Sequence, residues 1–143
     1  MNLGLIGIGA ALGLAAAGSA LGIGTAGMAA IGAMKKCYAQ NKPAPFILIA
    51  FVGAPLTQTI YGYLLMGNLL NKQSTLDPWL MIGLGLFGGL AMGFSAWLQG
   101  KAGAAASDSL AETGKGTGNY LMIIGLVETV AVFVLVFMMT ING

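Results

Sequence analysis

The sequence predicts an all-α membrane protein of four transmembrane helices, arranged as two duplicated helical hairpins. Three observations carry this reading. The 143-residue chain is 57% hydrophobic and only 7% charged, whereas a soluble domain carries roughly a quarter charged residues. Four long apolar segments follow one another with short polar connections. The first half of the chain recurs in the second.

The segments are residues 3–34, 46–70, 78–100 and 121–141, of which the first three hold no charged residue and the last holds only Glu128. A membrane crossing takes about 20 residues, and backbone polar groups in lipid are satisfied within a helix. Each segment therefore reads as one transmembrane helix. KKCYAQNKPAP joins the first two spans and NKQSTLD the next two. The last connection, KAGAAASDSLAETGKGTGN, begins Ala-rich, so the third helix is expected to run on to about Ala111 before TGKGTG breaks it. The two hairpins divide the chain at 1–72 and 73–143, with no room for a separate soluble domain.

Composition excludes several chemistries. The chain has no histidine and a single cysteine, Cys37. That removes His-ligated zinc, haem or iron, any intrachain disulfide, and a Cys–His nucleophile. Cys37 reads as a free thiol near a helix end. The start, MNLGLIGIG, lacks a basic n-region and opens an apolar run far longer than a signal's core, so no signal peptide is expected. GKGTGN at 114–119 superficially suggests a phosphate loop, but it follows no strand and lacks the GK[ST] order. Lysines set the orientation. Lys35, Lys36 and Lys42 lie in the first connection, against Lys72 and Asp77 in the second. Both termini are thus expected outside, and the first and third connections in the cytoplasm.

The repeat is ungapped over much of spans one and three. With an offset of 76, GSALGIGTAGMAA (18–30) falls on FSAWLQGKAGAAA (94–106), matching Ser19 with Ser95, Gly24 with Gly100 and Gly27 with Gly103. Spans two and four align with an offset of 70, placing Gln58 opposite Glu128 and Thr59 opposite Thr129. Duplication of a hairpin explains this better than chance. Spans one and three also carry small residues every four positions, as in Gly85, Gly89 and Gly93. Such faces let helices approach closely. Small residues on several faces favour a crowded inner circle of helices in an oligomeric ring over packing within one monomer.

Glu128 is the functional centre. A charged side chain in the bilayer core costs at least ~2.5 kcal/mol, and a carboxylate there marks a functional site by default. It must be neutralised by a proton, a cation or a partner. Span two reads GAPLTQTIYGY over 53–63, with Thr57, Gln58 and Tyr61 on one helical face. Pro55 frees a carbonyl in the preceding turn, which points to Phe51. Span three contributes Gln99 at a depth comparable to Glu128. The Glu128 carboxylate, the Thr57 hydroxyl, the Gln58 and Gln99 amides and a main-chain carbonyl make a set of oxygens suited to a hard alkali cation. A proton needs fewer acceptors. One formal charge favours a monovalent ion, so Na+ is the first choice and H+ the second.

With the duplicated hairpin, the Gly-rich first helix of each half and the single carboxylate of the last helix, the chain resembles the rotor-ring proteolipids (K or c subunits) of V-type and A/V-type ATPases. It is most similar to the sodium-translocating bacterial members. The likeness covers nearly the whole chain. It implies that Thr57, Gln58, Gln99 and Glu128 are side-chain ligands of Na+, and that Tyr61 hydrogen-bonds the glutamate and holds the site closed. It also implies that the carbonyl ligand is that of Ala54, immediately before the proline, where some members carry leucine. The implied mechanism is rotary, coupled to ATP hydrolysis or synthesis on other subunits, so the chain is no enzyme on its own. Identical subunits in a ring, a membrane stator subunit of a/I type, central-stalk subunits and the lipid bilayer are the implied partners, with no nucleic acid.

Three other readings compete: a proton-driven ring of the same architecture, a small four-helix multidrug exporter, and a structural scaffold. The exporter fits poorly, because the glutamate lies in the last helix of a duplicated chain with few aromatics to stack on a cationic drug. The scaffold leaves the polar set around Glu128 unexplained.

Overall fold

The structure is a computed structural model that describes residues 3–141. Among the described residues there are five α-helices: α1 (Gly4–Ala39), α2 (Ile47–Gly53), α3 (Thr57–Asn71), α4 (Pro78–Thr113) and α5 (Thr117–Met139). A 3-10 turn, Ala54–Leu56, links α2 to α3. Taking α2, the turn and α3 as one rod, four helices are long and apolar enough to cross a membrane.

The first and third rods are longer than the apolar runs alone suggest. Both α1 and α4 contain 36 residues, about 54 Å at 1.5 Å per residue, well beyond the ~30 Å apolar layer. The stretch KKCYA, expected in a connection, is helical to Ala39. Helix α4 continues past Ala111 and stops at Gly114, whose φ of 65° supplies the left-handed cap. Gly116, also at positive φ, begins α5 at Thr117, four residues earlier than the apolar run. Lys36 and Glu112 meet at 3.5 Å between the extended ends of α1 and α4, an exposed pair of small energetic weight.

The opposite end is capped closely. The Asp77 carboxylate accepts from the Trp79 and Leu80 N–H groups, with Pro78 at the first helical position of α4, the arrangement that satisfies free N-terminal donors. Lys72 donates its ammonium to the carbonyls of Met139 and Ile141 at 3.0 and 2.9 Å. A cation there complements the α5 C-terminus and ties the end of the first hairpin to the end of the second.

Helices α1 and α4 run parallel and touch backbone to backbone. A Cβ on Gly18 would overlap Gly93, and one on Gly100 would overlap Gly22. Helix α3 crosses α1 antiparallel, with Gly62 over Ala11 and Ala15 and Pro55 beside Gly22. Helix α5 lies antiparallel to α4 and touches α3.

The apolar core forms two clusters. One holds Ile8, Ala11, Ala15, Leu65, Leu69, Met81, Met92, Ala131 and Leu135. The other, toward the α1–α2 connection, holds Ala30, Ala33, Cys37, Leu48, Phe51, Leu110 and Ile124. Cys37 is a buried free thiol in this second cluster. Between the clusters lies a layer of buried polar side chains: Ser19, Gln58, Ser95 and Gln99.

Gly100→Ala is expected to lower the thermal unfolding midpoint of the detergent-solubilised protein by the equivalent of about 1–3 kcal/mol, since the methyl has only Gly22 backbone to displace. Gly118→Ala, with nothing within 4 Å of the added carbon, should leave the midpoint within error or raise it.

Candidate functional site

The site lies where α3, α4 and α5 meet in that polar layer. Pro55 has no N–H to donate, and the chain tightens into a 3-10 turn around it. The turn changes the helical phase between α2 and α3 and directs Gln58 inward. Pro55 and Gln58 are both fully buried.

The two candidate carbonyls are both located. The Ala54 carbonyl accepts from the Thr57 N–H and from the Thr57 hydroxyl at 3.1 Å. The Phe51 carbonyl faces α4, and a Cβ on Gly103 would come within 2.6 Å of it. Gly103 thus allows the backbone of α2 to rest directly on α4. Of the two, the Ala54 carbonyl is the one joined to the polar side chains.

From Ala54 a run of polar contacts reaches Glu128, the one Thr57 hydroxyl proton being shared between the Ala54 carbonyl and Gln58 Oε1. The Thr57 hydroxyl lies 3.2 Å from Gln58 Oε1. Gln58 Nε2 donates to Gln99 Oε1 at 2.8 Å. Gln99 Nε2 donates to Glu128 Oε2 at 3.2 Å and to the Ile124 carbonyl at 3.1 Å. Tyr61, one turn beyond Thr57 and Gln58 on α3, donates its hydroxyl to Glu128 Oε1 at 2.6 Å. Each carboxylate oxygen therefore has one donor. Thr57, Gln58, Tyr61, Gln99, Glu128 and the Ala54 carbonyl come together in one network, although 74 residues separate Ala54 from Glu128 in the sequence.

Glu128 is the midpoint of α5, with eleven helical residues on either side, about 16 Å of helix in each direction. It has more helix before it than the apolar run alone suggests, because α5 starts at Thr117. Gln99 and Gln58 are fully buried, whereas Glu128 and Tyr61 are half-buried at the outer edge of the site. The exposed neighbours of Glu128 along α5 include the apolar Leu126, Val130 and Phe133, together with Thr129, whose hydroxyl donates to the Leu126 carbonyl within its own helix.

One contact was not anticipated from residue type. The Ser95 hydroxyl donates to the Val127 carbonyl at 2.9 Å, one residue before Glu128. Its spacing of four from Gln99 on α4 was the available signal, since residues four apart share a helix face.

Known proteins match this part of the chain. Residues 82–141, most of α4 and all of α5, match the family of ATP synthase C subunits. The chain is also similar to the K subunit of the A-type ATP synthase of Methanocaldococcus jannaschii, at 38% identity over 85 residues. That alignment covers 59% of this chain and 38% of the relative's length. The segment that matches the family contains Ser95, Gln99 and Glu128, and the first hairpin adds Thr57, Gln58 and Tyr61 to the same site.

The amide pair can be tested directly. Gln58→Met keeps most of the buried volume but leaves Gln99 Oε1 without its donor, an omission that costs about 1–3 kcal/mol in a buried site. The thermal midpoint in detergent should fall accordingly. An unchanged midpoint would show that the pair contributes nothing to stability.

Proposed function

We propose that the chain is a rotor-ring subunit, of K or c type, of an A/V-type ATPase, and that it carries Na+ across the membrane at Glu128 as the ring turns. The observation that carries this reading is the single network of Thr57, Gln58, Gln99, Tyr61, the Ala54 carbonyl and Glu128 at the middle of an apolar helix. Carboxylate, hydroxyl, amide and carbonyl oxygens suit a hard cation. The set contains one formal charge, so a monovalent cation leaves the site neutral and a divalent one does not.

Neutrality is what a carboxylate crossing lipid requires. With Na+ on the Gln58, Gln99, Thr57 and Ala54 oxygens and on Glu128, the carboxylate is compensated while its site faces the bilayer. Tyr61 lies at the half-buried edge and latches the glutamate in place. At the interface with a membrane stator subunit, a fixed positive charge on the partner would attract Glu128 outward, break the Tyr61 bond and release the ion. The ion moves because identical subunits arranged in a ring deliver successive sites to that interface. Central-stalk subunits would couple the rotation to ATP hydrolysis or synthesis, chemistry for which this chain supplies no residues. The termini are placed outside and the α1–α2 and α4–α5 connections in the cytoplasm, following the lysine bias.

Carbodiimide attack on a carboxyl needs its protonated form, so a bound cation protects. In the purified ring at fixed pH, Na+ at millimolar concentration or below is expected to slow labelling of Glu128, and Glu128→Gln should abolish the labelling. Labelling of Glu128 that ignores Na+ would overturn the sodium reading and favour a proton-carrying ring. Purification as a small dimer would overturn the ring itself and favour an exporter.

A further inference from the structure

Two side chains on one face of α4 hold α5 in place. The Ser95 hydroxyl donates to the Val127 carbonyl at 2.9 Å, and Gln99 Nε2 donates to the Ile124 carbonyl at 3.1 Å. The two bonds are a turn apart on α4 and about a turn apart on α5, in antiparallel order. Both fall in the turn of α5 that immediately precedes Glu128. Gln99 also bonds the Glu128 carboxylate, so it has two roles. The Ser95 hydrogen bond goes to the backbone of α5 and not to the carboxylate.

One bond between two helices leaves them free to pivot about it. A second bond at a different level fixes the rotation of α5 and its height against α4. A carboxylate on the outer helix lies in register with Gln58 and Gln99 only if both are fixed. Ser95 is well suited to this task, being 5% exposed and short enough to allow close approach of the helices.

The repeat supplies an internal comparison. Ser19 is the counterpart of Ser95 in α1. It is 2% exposed, and its hydroxyl has no hydrogen-bond partner among the described residues. The same side chain at the same level thus bonds the outer helix in the hairpin that carries the carboxylate, and does not in the hairpin that carries Gln58.

We infer that Ser95 is a positioning residue for the ion site, setting its cation affinity by fixing the rotation and height of α5 through the Val127 carbonyl. This inference rests on the sodium reading of the same site. Ser95 makes no contact with the ion in this scheme.

The test compares Ser95→Ala with Ser19→Ala in the intact ring, below the unfolding temperature of both. The readout is the Na+ concentration that half-protects Glu128 from carbodiimide at fixed pH. Losing the Ser95 bond is expected to raise that concentration about two- to tenfold, the range a single hydrogen bond spans. Ser19→Ala, which removes only an unpartnered hydroxyl, should stay within about twofold of the parent. A Ser95→Ala ring that matches the parent overturns the inference and leaves the sodium reading standing. Equal shifts in the two variants overturn it also, since they would reflect loss of any buried hydroxyl. A parent ring that Na+ does not protect removes the sodium reading, and this inference falls with it.

Discussion

A carboxylate held at the midpoint of a membrane-length helix is the constraint on which the rest of this structure depends. Glu128 has eleven helical residues on each side, and the large side chains exposed near it, Leu126, Val130 and Phe133, are apolar. In a helix of membrane length the groups that stabilise such a carboxylate have to come from protein. Tyr61 and Gln99 each give one donor to one carboxylate oxygen. Gln99 in turn needs Gln58, and Gln58 needs the Thr57 hydroxyl and the turn at Pro55 that aims it. A buried amide whose partners are missing is costly, so the network is complete or it is a liability.

Such a network leaves little tolerance in helix spacing, which accounts for the glycines. Helices α1 and α4 meet with no side chains between them at Gly18, Gly22, Gly93 and Gly100. Gly103 lets the Phe51 carbonyl of α2 rest on α4, and Gly62 lets α3 lie on α1. In lipid, close van der Waals contact of this kind drives helix association in place of the hydrophobic effect. The two apolar clusters on either side of the polar layer pack the ends of the bundle, while the layer itself fixes the height at which the three site helices meet.

Much of this was legible in the residues. Four spans follow from the apolar runs, and the glutamate, the two glutamines, the threonine and the tyrosine stand out because polar groups in such runs are few. Helix ends were less legible. KKCYA is polar enough to read as a connection, yet it is helical because α1 and α4 extend beyond the apolar layer together. The proline's effect was legible in kind and not in detail. Its missing N–H pointed to Phe51, whereas the 3-10 turn presents the Ala54 carbonyl to Thr57. Ser95 was hidden because a serine in a helix ordinarily bonds its own preceding turn, and only the packed partner helix shows that it reaches Val127.

The most direct test of the account is to look for the ion. Thallium(I), a monovalent cation with strong anomalous scattering, can be soaked into crystals of the purified protein as a stand-in for the proposed Na+. The account predicts one anomalous peak for every copy of the chain, among the Thr57, Gln58, Gln99 and Glu128 oxygens and the Ala54 carbonyl, and displaced by excess Na+. A ring with no peak at that position, or a peak that Na+ leaves unchanged, would contradict it.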